Sequence, residues 1–518
     1  MTSQTPLSIS DIERLQAELA LGRSREALLQ EKVNHYEQEN SRLAELLKSL
    51  KRQVFGKKSE HWEDVPDVQL GLFNEVEVAA VEGKNEQETQ VISYTRKKGH
   101  GGRKPLPEDL PREDVIVELP EDQRFCPHDG HPLHVIGEEV SEKLKVVPAQ
   151  FVVVRTTCKK YGCRACESHV RQASKPETVL PKTIATPELL SFIINAKFGQ
   201  AQPLYRIEEF FNHNGVDLSR TTFARWLIQL IPMLMPVWNV LEEWVLGSGY
   251  VAIDATHTQV LKEKGRLAES KSSMWARGSP ELGIILFDYD PSGSGYVAER
   301  LLMDYRGLLQ SDQHKGYERF NTNLRIIRFG CMAHARRRFF AADADGAKAG
   351  KTLAKEGMRL IRRLYDVEAD AKGKPPDERL CLRQEKSIPT LAEFKSWADT
   401  THGKVPPKSL IGNAMNYVIE QWPYLSRYAE HGRVEIDNNW LERQLRYFAI
   451  GRRNWLFSDT VEGAKASALL YSLVVTAKIN GKNPYKALLD VLAGLPGAKT
   501  IDDFEQLATC FLRKPVKQ

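Results

Sequence analysis

The sequence predicts a multidomain α+β protein in which helical segments surround one α/β core. The chain has 518 residues, which is more than one hydrophobic core supports, so three or four units are expected. The spacing of the hydrophobic residues also changes along the chain. It is heptad-like up to residue 55, strand-like from residue 247 and helix-like again from residue 341.

These changes in spacing and composition divide the chain into seven segments. In chain order they are a coiled-coil helix (1–55), an acidic then basic linker (56–112), a zinc-ribbon-like module (113–180), a helical unit (181–246), an α/β core in two parts (247–340 and 433–480), an all-helical insertion (341–432) and a C-terminal helical tail (481–518). The insertion therefore divides the core in sequence.

The composition is ordinary for a soluble protein, with 42% hydrophobic residues, 27% charged residues and a net charge of +5. The N-terminus, MTSQTPLSISDIERLQ, lacks the basic-then-apolar pattern of a signal peptide. The most apolar run, residues 227–241, is short and contains two prolines, unlike a membrane span. Cys331, Cys381 and Cys510 are scattered singly, unlike a disulfide framework. We therefore expect a protein of the reducing cytosol.

Residues 10–55 have the apolar spacing of a long amphipathic helix. The a/d register is unbroken from Leu29 to Val54, and Asn40 occupies an a position, where a polar residue selects a parallel dimer. Gly22 and Glu26 fall on the same register and weaken its middle. The pattern favours a dimeric coiled coil over a helix packed on its own chain.

The linker changes its charge along its length. Residues 60–90 contain nine acidic residues and one lysine, whereas TRKKGHGGRKP (95–105) contains five basic residues and no acid. Glycines would let this segment follow a phosphate backbone or a minor groove, with Arg103 and Lys104 facing the DNA. A solvated basic linker is the alternative interpretation.

Two short cysteine motifs predict a zinc ribbon. CRAC (163–166) is one complete knuckle of such a site, but in CPHDGH (126–131) an aspartate stands where the second cysteine is expected. The candidate ligands are Cys126, Asp129, His131, Cys163 and Cys166, with His128 as a further possible donor. The segment is either a ribbon with one structural zinc ion or a ribbon that has lost its metal.

Residues 186–231 predict three short helices. Thr186 with Pro187 starts the first, Pro203 starts the second, and Ser219 caps the third. The second and third have the length and apolar spacing of a helix-turn-helix, whose recognition helix contacts bases with its first residues. Those residues are Arg220, Thr221, Thr222 and Arg225. A helical connector without DNA contacts is the alternative.

The predicted core has three strands followed by strands that alternate with helices, the order of a ribonuclease-H-like α/β layer. GYVAIDATHTQVL is a strand ending near Asp254, RGLLQSD is a strand terminating at Asp312, and Glu442 lies on a helix after the insertion. Such carboxylates can hold two hard cations for phosphodiester cleavage. Asp288 and Asp290, in FDYDPSG, are interpreted as turn residues.

Long stretches of the sequence carry a family resemblance. In the second half they are AIDATHTQVL, YDPSGSG, LLQSDQHKGYERF, GCMAHARRRFF and DNNWLERQLRYFAIGRRNWLFS. In the first half they are KRQVFGKKSE, GRKPLPEDLPRE, the cysteine motifs and AQPLYR. With these stretches the chain resembles the DDE transposases of the insertion-sequence-66 family. It departs from that family at Asp129, where the family has the second cysteine of CPxCG.

The resemblance implies that Asp254, Asp312 and Glu442 are the catalytic acids and that their metal is magnesium, as two ions that manganese can replace. The arginines around Glu442 would contact the phosphate chain of DNA. Gly451 predicts the end of that helix, so the two arginines after it would lie on a turn. The predicted DNA contacts in this half are His334, Arg336, Arg337, Arg443, Arg446, Arg452, Arg453 and Trp455.

Three of these contacts have alternative interpretations. Arg446 lies one helical turn after Glu442, so it would pair with that carboxylate or share its DNA-facing side. Trp455 would stack on an unpaired base or be buried in the core. His334 would contact the scissile phosphate or pack within its helix.

We therefore expect a bacterial, nucleoid-associated transposase. It would bind the terminal inverted repeats of its element as a homodimer or larger synaptic assembly, cleave at the ends and join them to target DNA. Its partners would be double-stranded DNA and companion proteins of the same element. The alternatives are a structure-specific nuclease or resolvase, and a catalytically silent DNA-binding repressor, against which the intact set of acids argues.

Overall fold

A computed structural model describes residues 150–162, 170–302, 304–346 and 353–513, together with residues 112, 114, 131 and 132. The predicted coiled coil and most of the linker lie outside the described residues, and so do Arg103, Lys104 and the ribbon ligands other than His131. The chain divides into two compact units, Trp62–Gln172 and a second made of Met1–His61 and Ala173–Gln518. The predictions for the segments outside the described residues stay predictions.

In the unit Trp62–Gln172, two short strands form an antiparallel pair. They are β1 (Lys160–Gly162) and β2 (Val170–Gln172), with Tyr161 opposite Arg171. The CRAC motif falls between them in sequence. His131, one of the candidate zinc ligands, is exposed.

The larger unit begins with four helices, which are α1 (Pro187–Ile194), α2 (Leu204–His213), α3 (Arg220–Gln229) and α4 (Ile231–Gly247). The first three confirm the predicted helices. Thr186 and Ser219 cap α1 and α3 as predicted, because their hydroxyls accept hydrogen bonds from the backbone N–H groups of Leu189 and Thr222. A π-helical turn, Asn195–Gly199, extends α1.

A mixed sheet follows these helices. Its strands are β3 (Tyr250–Lys262), β4 (Lys271–Ser279), β5 (Ile284–Asp290), β6 (Gly307–Gln310), β7 (Ile326–Phe329) and β8 (Ser458–Thr460). The order across the sheet is β5-β4-β3-β6-β7, and β8 pairs with the far end of β3. β3, β4 and β5 are antiparallel neighbours, whereas β6 and β7 run parallel to β3.

Helices and short helical turns make up the rest of the described chain. They are α5 (Gly295–Leu301), a 3-10 turn (Lys315–Thr322), α6 (Met332–Gly346), α7 (Leu353–Asp370), α8 (Pro376–Leu382), a π turn (Arg383–Ser387), α9 (Ile388–His402), α10 (Leu410–Leu425), a 3-10 turn (Arg427–Glu430), α11 (Asn439–Trp455), α12 (Val461–Ile479), α13 (Pro484–Gly494), a 3-10 turn (Leu495–Gly497) and α14 (Ile501–Thr509). The predicted mixture of helices and sheet is confirmed.

Two hydrophobic clusters stabilise this unit. The larger joins α1–α4 to the sheet, α11 and α12, and the smaller joins α6, α7, α9 and α10 to the β7 side of the sheet through Tyr250 and Phe329. α12 also covers the outer strand β5, because the hydroxyls of Ser472 and Thr476 accept hydrogen bonds from the backbone N–H groups of Phe287 (2.7 Å) and Ile285 (3.1 Å). These hydrogen bonds pair backbone N–H groups of β5 that would otherwise be unpaired at the edge of the sheet.

Two predicted element ends are wrong. β3 does not end near Asp254 but continues to Lys262, because β4 and then β8 supply partners along its second half. α11 does not stop at Gly451 but continues to Trp455. A side chain at position 451 would collide with the Tyr471 hydroxyl of α12, so the glycine allows a close helix contact and does not end the helix.

Among the described helices, none is long and apolar enough by itself to span a membrane. One bent pair, α3 followed by α4 at 49°, meets the criteria of length and composition together.

Candidate active site

Asp254 and Asp312 occupy equivalent positions on two neighbouring parallel strands. Ala252 of β3 is paired with Gln310 of β6, and each aspartate lies two residues beyond that pair. Parallel strands point in the same direction, so the two acids emerge at the same edge of this strand pair. Both acids are carried by the strands that the sequence predicted, although Asp254 lies within β3 and Asp312 lies two residues past the end of β6.

Backbone and buried side-chain contacts fix both aspartates. The Asp254 carboxylate accepts a hydrogen bond from the N–H of Ala255 (2.7 Å), and the Asp312 carboxylate accepts one from the N–H of His314 (2.9 Å). Arg328, which is 1% exposed, donates to the Asp312 carbonyl (2.6 Å) and to the Ser311 hydroxyl (2.9 Å). The turn after β6 is therefore held by a buried arginine.

Glu442 reaches the same strand because Asn438 attaches the start of α11 to it. The Asn438 side-chain amide donates to the carbonyl of Ile253 (3.3 Å), the residue before Asp254, and its backbone N–H donates to the Cys331 sulfur (3.2 Å). The N–H of Glu442 then donates to the Asn438 carbonyl (3.1 Å), closing the first helical turn. Asn438 thus links the strand that carries one acid to the helix that carries another.

The electrostatics of the site indicate that the three acids lie close together. Burial, followed by the charges of Asp312 and Glu442, raises the pKa of Asp254 well above its ordinary value. Burial, followed by the charges of Asp254 and Asp312, also raises the pKa of the Tyr317 hydroxyl. Like charges that raise a pKa in this way favour a proton or a cation between them.

The two oxygens of Glu442 have different environments. Oε2 contacts the Arg337 guanidinium of α6 in an ion pair. Oε1 faces His334 Nδ1 at 3.7 Å, and neither of these buried atoms has a hydrogen-bond partner among the described residues. Burial and then the charge of Arg337 lower the pKa of His334 to about 4, so the imidazole is neutral at ordinary pH.

The donors fit the cations that the sequence predicted. Carboxylate oxygens are the ligands that magnesium prefers, the site concentrates three carboxylates with mutually unfavourable charges, and the Oε1 atom of Glu442 is buried without a partner. The arrangement can therefore bind divalent cations beside a polyanion.

The other acids near these elements have structural partners. Asp288 and Asp290, predicted as turn residues, instead lie in β5, because both positions pair with β4. Asp288 pairs with buried Arg277 (3.1 Å), and Asp290 pairs with Arg300 (2.8 Å). Glu435 pairs with Arg379 (3.1 Å). Asp437, the remaining acid near Glu442 in sequence, accepts hydrogen bonds from the Tyr365 hydroxyl and from the backbone N–H of Asn439 at the start of α11.

Some predicted DNA contacts are directed into the protein instead. Arg337 pairs with Glu442. Arg452 is on α11 and not on a turn, and its guanidinium donates to the His257 carbonyl and to the Thr256 hydroxyl (3.3 Å) of β3. The prediction that Arg452 lies on a turn is therefore wrong, and its hydrogen bonds join α11 to β3. Arg453, beside it, is half-buried.

The alternatives for Trp455 and Arg446 are also decided by packing. Lys197 Nζ lies 3.8 Å from the centre of the Trp455 ring, and Tyr471 packs against the same tryptophan. Trp455 is therefore part of the core surroundings and not a free stacking surface. Arg446 is half-buried, and in the described chain the basic side chains within 4 Å of the Glu442 carboxylate are those of Arg337 and of neutral His334.

The other predicted DNA contacts lie at the surface. Arg220, Thr221 and Arg225 are exposed at the start of α3, and Thr222 is half-buried behind them. Arg336 and Arg443 are exposed on α6 and α11. These side chains are accessible to a large anionic ligand.

Sequence reasoning missed the residues that support the acids. Asn438, Arg328 and Tyr317 are almost completely buried, yet none of them was singled out. The only signal was a polar residue beside a strand end or helix start. Arg337 was predicted as a DNA contact. Its ion pair with Glu442 could not be inferred from neighbouring residues, because the two positions are 105 residues apart.

Three models of known protein families match parts of this chain. The family described as "Transposase IS66 family" matches residues 182–466, "zinc-finger binding domain of transposase IS66" matches residues 123–167, and "Transposase C of IS166 homeodomain" matches residues 42–115. No solved structure is significantly similar to the chain.

Several curated proteins of Sinorhizobium fredii (strain NBRC 101917 / NGR234) are similar along most of their length. The uncharacterized protein y4jD is 32% identical over 481 residues, covering 88% of this chain and 92% of the relative. The uncharacterized protein y4hP is 31% identical over 471 residues, covering 86% and 84%. With a family match that spans more than half of its residues, this chain belongs to the IS66 family of transposases, and its domains support a DNA-binding, transposase role.

Proposed function

We propose that this transposase cleaves DNA at the ends of its insertion sequence and joins the resulting 3′-hydroxyls to target DNA, with Asp254, Asp312 and Glu442 as the catalytic acids. The observation that carries the proposal is the equal offset of the two aspartates from the β3–β6 pair, with Glu442 attached to the same strand through Asn438. A helix and two strands thereby contribute one acid each.

The strand order supports a ribonuclease-H-like core for this reaction. The sequence predicted three strands followed by strands separated by helices. In the structure the first three strands are antiparallel, the next two run parallel to β3, and the order across the sheet is β5-β4-β3-β6-β7. Asp254, within β3, and Asp312, just after β6, lie at the same edge of this strand pair. The topology supports the fold, whereas the function depends on the residues of the site.

The carboxylates of Asp254, Asp312 and Glu442 would hold magnesium, or manganese in its place. When bound, such ions lower the pKa of an attacking water or hydroxyl and stabilise the leaving oxygen of a phosphodiester. The residues around the acids have their own roles: Asn438 and Arg328 orient the acids, and Arg337 fixes one oxygen of Glu442. Neutral His334 can donate a hydrogen bond to a phosphate oxygen.

Recognition of the element's ends would involve the start of α3 and the basic linker. Arg220 and Arg225 are exposed at the N-terminal end of that helix, where helix-turn-helix proteins contact bases. In the same proposal the N-terminal heptads hold a homodimer or a larger synaptic assembly, a zinc ion holds the ribbon, and companion proteins of the element take part.

The test replaces each acid by its amide. Asp254→Asn, Asp312→Asn and Glu442→Gln should each abolish cleavage of DNA carrying the element's ends, because each removes one ligand charge at nearly constant shape. DNA affinity should stay near that of the unmodified protein. Asp290→Asn is the matched control, because Asp290 pairs with Arg300 outside the site, and it should cleave normally.

A strand-transfer assay with pre-cleaved ends distinguishes the alternatives. Joining that is lost in the three amide variants supports a transposase, whereas cleavage without joining indicates a nuclease or resolvase. Cleavage by Glu442→Gln in magnesium would refute the assignment of that acid. DNA binding without cleavage or joining by the unmodified protein would indicate a repressor.

A further inference from the structure

We propose that Cys331, His334 and Glu442 form a second metal site, which binds a zinc-class transition metal and competes with the proposed catalytic ions for Glu442. The metal binding stands on the geometry alone. The inhibition that follows from it rests on the proposed function, because it assumes that Glu442 is a catalytic ligand.

The three side chains can place their donor atoms around one ion. One ligand atom from each residue lies within 4.8 Å of the other two. Zinc–sulfur and zinc–nitrogen bonds of about 2.3 and 2.0–2.1 Å therefore require only a modest approach of these atoms. Cys331 immediately precedes α6 and His334 lies in its first turn, so the two lie close together beside the first turn of α11.

Two of the donor atoms have no other use in the structure. Glu442 Oε1 and His334 Nδ1 are buried, face each other at 3.7 Å, and lack hydrogen-bond partners among the described residues. Buried polar atoms are nearly always paired, so two orphaned atoms that face each other indicate a missing ligand. A bound cation would satisfy both atoms at once.

The neighbouring charges leave this position open to a cation. Arg337 occupies Oε2 of Glu442 and not Oε1, so the ion pair and the metal would use different oxygens. The Cys331 sulfur accepts a hydrogen bond from the backbone N–H of Asn438, which fixes the sulfur beside the first turn of α11. Binding would release the thiol proton to solvent.

The donor chemistry separates this site from the carboxylate site. Sulfur and nitrogen donors select zinc and similar ions, whereas magnesium prefers oxygen ligands. Magnesium should therefore bind Asp254, Asp312 and Glu442, and a zinc-class ion should bind the mixed set. Both sets need the same glutamate, so occupation of the mixed site should withdraw Glu442 from the catalytic ions.

The first experiment measures metal binding in the full-length protein, without DNA. Cadmium or cobalt is titrated into the metal-free protein, and bound ions are counted together with the ultraviolet absorption of metal–thiolate bonds. Cys331→Ser and His334→Gln should each lose one bound ion per chain and, with that ion, one thiolate contribution to the absorption. Cys381→Ser, which changes an exposed cysteine, is the control and should match the unmodified protein.

Metal bound by the predicted ribbon does not confuse the result, because its ligands are unchanged in all of these variants. Equal numbers of bound ions and equal thiolate absorption in Cys331→Ser, His334→Gln and the control would overturn the proposal. Circular dichroism checks that each variant is folded. If Cys331→Ser is not folded, Cys331→Ala and His334→Gln carry the test.

The second experiment adds zinc to a cleavage reaction at fixed magnesium. Cys331→Ser should need a zinc concentration about tenfold or more higher for half-inhibition, as expected when one part of a metal site is removed, whereas Cys381→Ser should not. An unchanged half-inhibiting concentration would refute the competition at Glu442. If the unmodified protein does not cleave at all, the proposed function fails, while the binding experiment still decides whether the metal site exists.

Discussion

The ion pair between Arg337 and Glu442 should stabilise the first turns of α11, and its energy can be bounded from its burial. The two side chains are 29% and 16% exposed. Exposed ion pairs contribute about 0–1 kcal/mol, and truncating one partner of a fully buried pair costs about 3–5 kcal/mol. For this half-buried pair we therefore expect Arg337→Gln to cost about 2 kcal/mol.

Hydrogen exchange measures this effect locally, which is necessary because a chain of several domains has no single free energy of unfolding. A loss of about 2 kcal/mol corresponds to roughly 30-fold faster exchange in peptides covering the start of α11, if exchange follows local opening. The comparison is made without added divalent cation, so that bound metal does not mask the change. Exchange in α14 should not change.

A double-mutant cycle separates the ion pair from other effects of the substitution. Glu442→Gln alone leaves Arg337 without its partner, and the double variant should recover part of the loss, with a coupling of about 1–2 kcal/mol. Arg338→Gln is the matched control, because Arg338 is the next residue, is exposed and lies over the Tyr417 ring at 4.6 Å. Additive effects of Arg337→Gln and Glu442→Gln, or unchanged exchange in α11, would refute the reasoning.

Three further predictions concern charge and packing around the site. Because folding raises the pKa of Asp254, the stability of the protein without divalent cations should fall as the pH rises above 3.8, the ordinary pKa of this side chain. Urea unfolding of Asp254→Asn should therefore show a weaker pH dependence than that of the unmodified protein. An equal pH dependence would contradict the raised pKa. Arg443→Ala should flatten the log–log salt dependence of DNA binding by about 0.9. Arg452→Ala should leave that slope unchanged but lower the melting temperature. A flatter slope for Arg452→Ala would show that Arg452 contacts a phosphate. Gly451→Ala should destabilise the packing of α11 on α12 by about 1–3 kcal/mol through overpacking against Tyr471, measured by hydrogen exchange in these two helices, and unchanged exchange would show that α11 and α12 can move apart.

Much of the local structure was predictable because its causes are local. Thr186 and Ser219 start helices because their own hydroxyls accept the first free N–H groups. The apolar runs before Asp254 and Asp312 are strands because they are buried. The turn after Asp290 was predictable because the Asp290 carboxylate accepts a hydrogen bond from the N–H of Ser292, two residues later.

The errors share one physical origin, which is contact between residues far apart in the chain. Gly451 has the sequence signature of a helix end, but the Tyr471 hydroxyl on α12 explains it. Arg452 has the signature of a phosphate contact, but its hydrogen-bond acceptors lie 195 and 196 residues away on β3. Neither partner can be inferred from the residues beside it.

The sequence by itself therefore determined the family and predicted the three candidate acids and the elements that carry them, because motifs, capping residues and hydrophobic periods depend on neighbouring residues. Only the tertiary structure decided which oxygen of Glu442 is paired, which arginines face inward, and that Asn438 joins the helix of one acid to the strand of another. These features depend on pairing across the sheet and between helices. Such pairing is set by the packing of the whole unit and not by any local pattern.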